Sequence, residues 1–335
     1  MGNNNSNNMG SKIRVGICGY GNLGKGAVSE IAKRPDMELA CVFTRRAHAG
    51  AMNAGANAPM AHVSEAIEWK GRVDVMLLCG GSKGDLPTQG PEFARAFNTV
   101  DSFDTHAEIP GYFEAVDRAA RAGGNISIIS AGWDPGLFSL LRLYAGAVIP
   151  EGKTYTFWGR GVSQGHSEAI RRIEGVEGAI QYTIPDDAAM ERVRNGENPA
   201  LTAREKHTRL CYVAAAEGAD RARIENEIKS MPNYFSDYDT MVHFITQEEL
   251  AKNHGKMMHG GKVMHYGRTG DGNGQAIEFS LKLDSNPEFT ASVALAYARA
   301  AYRLSARGES GARTVFDIPP ALLSGSSREG LMALL

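Results

Sequence analysis

The sequence predicts an α/β protein in which a doubly wound parallel sheet is followed by an α+β domain with a mixed or antiparallel sheet. Two observations support this prediction. Up to about residue 132, nearly continuous apolar runs alternate with stretches of helical spacing, which is typical of parallel strands covered on both faces. Beyond residue 150, several runs alternate polar and apolar residues, which is typical of half-buried strands.

A chain of 335 residues is too long for one simple core, so we expect two domains. The first spans residues 12–132 and the second spans 133–286. An alanine-rich helix over 289–304 opens a final segment, 287–335, that we expect to pack back on the first domain. The asparagine-rich residues 1–11 are expected to form a disordered tail.

The first motif is a strand, a glycine-rich turn and a helix. The apolar run 13–18 predicts a buried strand, and residues 25–32 have helical spacing. In a Rossmann-type fold, a G-x-G-x-x-G turn between such elements brings the backbone and the helix N–H groups to a dinucleotide pyrophosphate. An ordinary strand-to-helix turn is the alternative interpretation. The candidate cofactor residues of this turn are Gly19, Tyr20, Gly21, Asn22, Leu23 and Gly24.

The end of the second strand, 39–43, selects the nucleotide. NAD-binding folds of this type place a carboxylate there, which binds the ribose 2′-hydroxyl. Here Thr44, Arg45 and Arg46 follow the strand, and no carboxylate is present. Arginine pairs with phosphate through charge-assisted hydrogen bonds, so the sequence predicts NADP as the cofactor. For one of the two arginines, a solvated basic loop is the competing interpretation.

Three more apolar runs complete the first sheet, over 73–78, 98–102 and 126–130, with a helix over 109–122. Ligands of parallel sheets bind beyond the carboxyl ends of the strands, so the residues after each run are candidates. The residues after the first of these runs, which we expect to contact the cofactor, are Cys79, Gly80, Gly81 and Ser82.

Asp104 and Asp134 follow the last two runs and form a candidate pair of catalytic carboxylates. A dehydrogenase acting on an amine must hold an ammonium group, take its proton and activate water, and carboxylates suit these tasks. A helix cap is the alternative role for Asp104, and a turn position before Pro135 is the alternative for Asp134. Their shared position beyond a cofactor-binding sheet favours catalysis.

The second domain is predicted to contain six strands and a few helices, of which three can be located in the sequence. Glycine-rich residues 267–274 predict a hairpin loop between the last two strands. The strands are expected over 154–158, 179–184, 209–213, 240–245, 262–266 and 275–283, and the helices over 163–172, 186–194 and 219–231.

Polar residues of the second domain suggest a ligand with carboxylate groups. The segment 158–167 leads from a strand into a helix, and backbone N–H groups at a helix start can hold a carboxylate. His166, near that start, is expected to be neutral and available as a base, with packing beside Trp158 as the alternative. Arg209 can grip a carboxylate through two hydrogen bonds. A loop over 257–261 is expected to close over the ligand, with His259 donating to it.

Several functions are not indicated. The spacing of His254, His259 and His265 matches no zinc pattern, so no metal site is predicted. The net charge of −2 gives no reason to expect nucleic acid or a membrane surface as partner, and no apolar run has the length of a membrane span. The four cysteines form no C-x-x-C pattern and are expected to be reduced core residues of a cytoplasmic protein.

Taken together, the motifs resemble those of the meso-diaminopimelate dehydrogenase family. The resemblance extends from about residue 12 to about residue 325 and rests on segments 19–24, 44–46, 130–136, 157–167 and 258–261. It implies a homodimeric, NADP-dependent oxidoreductase that deaminates the D-centre of meso-2,6-diaminopimelate, giving L-2-amino-6-oxopimelate, ammonium and NADPH. The reverse reaction serves bacterial lysine and cell-wall precursor synthesis. Residues 133–286 would then bind substrate and form the dimer contact.

The resemblance also implies roles for individual residues. Asp104 and Asp134 would hold the reacting D-amino group. We hypothesise that Asp134, through water or together with His166, is the base and that Asp104 orients the amine. The residues implied at the D-end of the substrate are Trp158, Gln164 and Gly165. Those implied at the L-end are Thr183, Arg209 and His259, which anchor the carboxylate, and Asn286.

Two other functions remain as alternatives. An NADP-dependent semialdehyde dehydrogenase would need a cysteine nucleophile, and Cys79 is the cysteine near the expected cofactor edge. A non-enzymatic NADP-binding sensor would use the same fold without chemistry.

Overall fold

The structure, a computed structural model, describes residues 12–46 and 59–335, so the predicted tail over 1–11 lies outside the described residues. The chain divides into two compact units. Unit 1 comprises the described residues up to Leu140 together with Pro287–Leu335, and unit 2 comprises Leu141–Asn286.

The described residues form fourteen strands. They are β1 (Ile13–Cys18), β2 (Met37–Thr44), β3 (Met60–His62), β4 (Val75–Leu78), β5 (Asn98–Asp101), β6 (Ile126–Ile128), β7 (Glu151–Trp158), β8 (Gly161–Val162), β9 (Val176–Pro185), β10 (His207–Ala215), β11 (Asp239–Phe244), β12 (His259–Thr269), β13 (Asn273–Leu283) and β14 (Gly311–Arg313).

Eleven α-helices lie in the described ranges, along with short 3₁₀ turns. They are α1 (Asn22–Ile31), α2 (Leu86–Ala94), α3 (Ile109–Gly123), α4 (Leu137–Val148), α5 (Gln164–Arg171), α6 (Asp187–Arg194), α7 (Ala203–Lys206), α8 (Arg221–Ser230), α9 (Gln247–His254), α10 (Asn286–Ser305) and α11 (Arg328–Met332). None of these helices is both long and apolar enough to cross a bilayer.

Unit 1 is built on a seven-stranded sheet with the order β14-β6-β5-β4-β1-β2-β3. All of its strand pairs are parallel. One core cluster packs α1 and α10 against the sheet, and a second packs α2 and α3 against it. The predicted doubly wound parallel sheet is therefore confirmed, and its strands are apolar along their length because both faces are covered.

Two glycines make the first turn possible. Gly19 has a φ of +105°, a left-handed conformation that favours glycine. A Cβ on Gly24 would lie 2.0 Å from the carbonyl oxygen of Gly19, so no larger residue fits there without moving the turn. The first and third glycines of the motif thus let α1 start directly against the end of β1.

Helix α10 contributes to the core of unit 1 although it follows unit 2 in the chain. Its Ala291, Leu295 and Ala298 are fully buried in the same cluster as β1. Arg299 adds a bidentate ion pair with Asp36 at 2.5 and 2.9 Å, which lowers the pKa of that carboxyl. Apolar burial and this pair together hold the final segment to unit 1.

Unit 2 contains two sheets. The four-stranded sheet has the order β11-β10-β9-β8, in which β10 and β11 are parallel and the other pairs are antiparallel. The three-stranded sheet, β13-β12-β7, is antiparallel throughout. The predicted mixed or antiparallel character is confirmed. The strands are divided between two sheets because alternation within a strand does not determine its partners.

The structure corrects one local prediction. Residues 257–261 were expected to form a ligand-covering loop, but His259, Gly260 and Gly261 are the first residues of β12. Gly261 pairs with Trp158, and Gly260 pairs with Lys282. Gly260 is needed because the strands pack closely: a Cβ there would lie 2.3 Å from the Leu281 carbonyl oxygen.

Candidate active site

The glycine turn, the two arginines and the segment after β4 line one cavity of unit 1, with a volume of about 430 Å³. The predicted cofactor residues that line it are Gly19, Tyr20, Gly21, Thr44, Arg45, Arg46, Cys79, Gly80 and Gly81. The remaining predicted cofactor residues, Asn22, Leu23, Gly24 and Ser82, adjoin these segments in the chain without lining the cavity. Three separately predicted segments therefore meet beyond the carboxyl ends of β1, β2 and β4.

The amino end of α1 makes this cavity suitable for a pyrophosphate. Gly21 is the N-cap residue and has no side chain to accept a hydrogen bond from the first N–H groups of the helix. The first turn contains no acidic residue. The first N–H groups of a helix and its dipole attract anions, so negative charge is favoured here. Lys25, which lines the same cavity, adds a positive charge.

The arginines fit a 2′-phosphate. Arg45 Nη1 lies 3.2 Å from Asp85 Oδ1, and the arginine side chain is 73% exposed. An ion pair this exposed is weak, so Arg45 can exchange it for a phosphate. Asp85 Oδ2 meanwhile accepts a hydrogen bond from the Gly81 N–H at 3.0 Å. No carboxylate stands at the end of β2, where an NAD site would have one.

Asp104 and Asp134 lie beyond the carboxyl ends of β5 and β6, which are paired in parallel. Asp104 is exposed and its backbone N–H donates to Ser82 Oγ at 3.1 Å, whereas Asp134 is half-buried. The alternative role of Asp104 as a helix cap is wrong, because Thr105 is the N-cap of the following turn and no side chain caps it. Both carboxylates thus occupy the edge of the sheet where ligands bind.

Cys79 does not have the properties of an activated nucleophile. Burial raises the pKa of its thiol well above the ordinary value, whereas catalytic cysteines have a lowered pKa that favours the thiolate. This disfavours the semialdehyde dehydrogenase alternative.

In unit 2, Arg209 is a buried guanidinium that faces no carboxylate among the described residues. It is 7% exposed and lies opposite Thr183, whose Oγ1 accepts a hydrogen bond from Arg209 Nη1. The guanidinium carbon lies 3.9 Å from the centre of the Tyr238 ring. Burial lowers the pKa of Arg209 from its very high ordinary value. A buried cation without a paired anion is costly, so this site suits a ligand carboxylate.

Other polar atoms on the same side of the four-stranded sheet also lack partners. Thr240 pairs with Arg209 along β11, and Gln181 precedes Thr183 by two residues on β9. Buried polar atoms are nearly always hydrogen-bonded, so such a group indicates where a ligand or water binds. The unpartnered atoms are Gln181 Oε1, Arg209 Nε and Thr240 Oγ1.

Trp158, the last residue of β7, is held by a histidine that was not singled out from the sequence. His207 Nε2 accepts a hydrogen bond from the backbone N–H of Trp158 at 2.8 Å, and the two rings stack with their centres 5.3 Å apart. Burial, aided by the charges of Arg209 and Lys206, lowers the pKa of His207 to about 3. The neutral imidazole therefore remains an acceptor. The sequence did contain a signal for His207: it lies two residues before Arg209 on one strand, so both side chains are on the same face of the sheet.

His166 is also neutral, although mainly for a reason other than helix position. Burial first, and then the charge of Arg209, lower its pKa to about 4. Its Nδ1 lies 2.7 Å from Ser163 Oγ, and the rings of Tyr234 and Phe235 stand edge-on to it. The aromatic surroundings come from these two residues, which no motif in the sequence marks.

The remaining predicted substrate residues lie at the ends of elements in unit 2. Gln164 and Gly165 are the first residues of α5 and are exposed. His259 packs against Gly161, which pairs with Thr183 in the sheet. Thr183, Arg209 and His259 are therefore brought to one region. Asn286, whose N–H donates to the Met257 carbonyl oxygen, begins α10.

Comparisons with known proteins point to one family over nearly the whole chain. A family model described as the diaminopimelic acid dehydrogenase C-terminal domain matches residues 132–285. The meso-diaminopimelate D-dehydrogenase of Ureibacillus thermosphaericus is 61% identical over 96% of this chain and 98% of its own length. The C. glutamicum diaminopimelate dehydrogenase in complex with diaminopimelate superposes with a TM-score of 0.90 at 45% identity, over 97% of this chain and 99% of that one. An engineered D-amino acid dehydrogenase bound to NADP⁺ gives a TM-score of 0.85 at 44% identity, over 96% and 99%.

Proposed function

This chain belongs to the meso-diaminopimelate D-dehydrogenase family, and from that premise we propose which of its residues carry each part of the reaction. It is an NADP-dependent oxidoreductase that reversibly deaminates the D-centre of meso-2,6-diaminopimelate. Water is consumed, and the products are L-2-amino-6-oxopimelate, ammonium, NADPH and a proton. The unpaired, buried guanidinium of Arg209 is the observation that best supports a dicarboxylate substrate.

The cofactor is held by the cavity of unit 1. The pyrophosphate binds at the amino end of α1, beside Gly19 and Gly21. Arg45 and Arg46 bind the 2′-phosphate, and Arg45 leaves Asp85 to do so. When bound there, NADP⁺ would supply the hydride acceptor for oxidation of the D-carbon.

The L-end of the substrate is anchored in unit 2. Arg209 and Thr183 bind the distal carboxylate, which supplies the anion that the buried guanidinium lacks, and His259 contributes a third contact. Asn286 holds the distal amino group. With this end fixed, only the D-carbon is presented for oxidation, and Trp158, Gln164 and Gly165 bind the groups around it.

Asp104 and Asp134 hold the reacting amine. Exposed Asp104 orients the ammonium group, and half-buried Asp134 takes its proton and activates the water that hydrolyses the imine. His166 is the competing base, because its imidazole is neutral. Turnover of Asp134→Asn and His166→Ala distinguishes them: near-normal turnover in either variant removes that residue as the essential base.

The substrate assignment has a direct test. NADPH or NADH formation is followed by absorbance with meso-, LL- and DD-diaminopimelate, each with NADP⁺ and with NAD⁺. We expect rapid reduction of NADP⁺ with the meso form and release of ammonium. Absence of NADPH with the meso form would overturn the substrate. Loss of activity after thiol alkylation, without ammonium release, would favour the semialdehyde dehydrogenase instead.

We also propose a homodimer that forms through the outward face of the four-stranded sheet. On the side of β9–β11 that points away from Arg209, six apolar residues are not fully buried within the chain, and Met241 is 47% exposed. His243 is also on this side, and His254 of α9 contacts Tyr182 and Tyr212 there. Apolar patches of this kind mark protein contacts. The face comprises Ile180, Tyr182, Ile184, Leu210, Tyr212 and Met241.

The proposed compartment is the cytoplasm, where the enzyme would serve lysine and cell-wall precursor synthesis. All four cysteines are free, which is typical of a reducing compartment.

A further inference from the structure

Asp101, the last residue of β5, is a buried carboxylate with three hydrogen-bond donors and a side-chain exposure of 1%. Its Oδ1 accepts the N–H groups of Phe103 and Ser130, each at 3.0 Å. Its Oδ2 accepts the hydroxyl of Tyr112 at 2.7 Å. A carboxyl group is costly to bury unless its oxygens are hydrogen-bonded, and here both oxygens have partners.

The two N–H donors belong to the two segments that carry the candidate catalytic carboxylates. Phe103 directly precedes Asp104, and Ser130 opens the segment that leads to Asp134. Both N–H groups meet the same oxygen, so one atom joins the two segments. The backbone of Asp101 adds a further link, because its carbonyl oxygen accepts the Ala131 N–H at 2.8 Å.

The orientation of the carboxylate is itself fixed. Tyr112 stacks on the ring of Phe103 with ring centres 4.1 Å apart, which places its hydroxyl on Oδ2. Gly90 leaves the room for this ring, since a Cβ there would lie 2.2 Å from the hydroxyl oxygen. Ser130 has a φ of +54°, a conformation that few non-glycine residues adopt unless their surroundings hold them.

We propose that Asp101 is a positioning residue for the deamination, which clamps the segments bearing Asp104 and Asp134 to each other through its Oδ1. The inference rests on the proposed roles of those two carboxylates. Asp101 does not touch the substrate; it fixes the separation of the two groups that do. A displacement of about 1 Å in such a group costs up to about a hundredfold in rate.

The chemistry of the clamp defines its test. Asp101→Asn keeps an oxygen for the two N–H donors, while Asp101→Leu removes it at similar size. We expect the Asn variant to keep kcat within about threefold of the native enzyme, and the Leu variant to lose about tenfold to a hundredfold, with the Kd for NADP⁺ unchanged in both. Hydrogen exchange of the Phe103 and Ser130 amides should accelerate in the Leu variant only.

Matched variants isolate the effect. Thr99→Val removes another buried hydrogen bond, to Ser127 Oγ at 2.8 Å, which involves neither segment, and should leave kcat unchanged. Tyr112→Phe removes the Oδ2 partner alone and should lower kcat less than Asp101→Leu. If Asp101→Leu fails to fold, Asp101→Ser serves in its place, because its shorter side chain cannot reach both N–H groups.

Results that would overturn the role of Asp101 differ from those that would overturn the catalytic pair. Native kcat in Asp101→Leu or Asp101→Ser overturns the clamp. So does an equal loss in Asp101→Asn and Asp101→Leu, because a carboxyl whose pKa is raised by burial would then act by exchanging a proton. Full turnover in Asp104→Asn and Asp134→Asn would instead overturn the proposed catalytic pair, whatever the Asp101 variants do.

Discussion

At the scale of single residues, burial shifts the pKa of three groups of unit 2 more strongly than neighbouring charge does. His166, His207 and Arg209 all have lowered pKa values, and burial is the largest cause for each. The consequence differs with the residue. The histidines become neutral acceptors or bases, whereas the guanidinium remains charged and retains its need for an anion.

The first residue-scale prediction concerns Arg45 and Arg46. Replacing both with alanine should raise the KM for NADP⁺ about tenfold to a hundredfold per lost phosphate contact, since a charge-assisted hydrogen bond contributes roughly 1.5–3 kcal/mol. The KM for NAD⁺ should change little. Arg118→Ala, an exposed arginine on α3, is the control. Equal effects on both nucleotides would show that the arginines do not select the phosphate.

At the scale of elements, the glycine turn separates a packing role from a ligand role. Gly24 lies against the Gly19 carbonyl oxygen, whereas a Cβ on Gly21 would meet no atom within 4 Å. Gly24→Ala should therefore lower the free energy of unfolding of the free protein by roughly 1–3 kcal/mol through overpacking. Gly21→Ala should leave that stability unchanged and weaken NADP⁺ binding, because its methyl group meets the pyrophosphate.

Urea unfolding without cofactor and fluorescence titration with NADP⁺ measure the two effects. Native stability in Gly24→Ala would contradict the close approach of α1 to the end of β1. Unchanged NADP⁺ affinity in Gly21→Ala would move the pyrophosphate away from the turn.

The elements also show what the sequence can predict. Unit 1 was predictable in detail because a parallel sheet brings the ends of its strands to one edge, so chain position alone located Cys79, Asp104 and Asp134. The side-chain contacts between the strands of unit 2 were not predictable in this way. Alternation marked β9 and β10 as strands, but not that Arg209 would face Thr183 across them or that His207 would stack on Trp158. Such contacts depend on strand register, which is set by packing at long range.

At the scale of the whole molecule, stability should depend on pH through the buried histidines. Their pKa values are about 4 for His166 and about 3 for His207 in the folded chain, below the ordinary value near 6.5. Between these values the unfolded chain binds more protons, so the free energy of unfolding falls as pH drops below about 6.5.

Chemical unfolding between pH 5 and 7 measures this slope. The double variant His166→Gln, His207→Gln should have a flatter slope, and His62→Gln, a histidine on the surface of unit 1, should not. Identical slopes in the double variant and the native protein would contradict the neutral state of the two rings.

The proposed dimer gives the last prediction. Light scattering should find twice the 36.0 kDa mass of the chain, and Met241→Lys should shift the protein towards single chains by placing a charge in an apolar contact. Met332→Lys is the matched control, because Met332 is an exposed methionine outside that sheet face. A stable dimer in Met241→Lys would place the subunit contact elsewhere.

The return of α10 to unit 1 has a consequence for the order of synthesis. Strands β1 to β6 are translated first, but α10, which supplies Ala291, Leu295 and Ala298 to their core, follows the 146 residues of unit 2. Unit 2 is continuous in the chain and can complete its core first. On the ribosome, the domain that starts earlier therefore finishes folding later. The face of its sheet that α10 covers stays partly exposed until α10 has been synthesised.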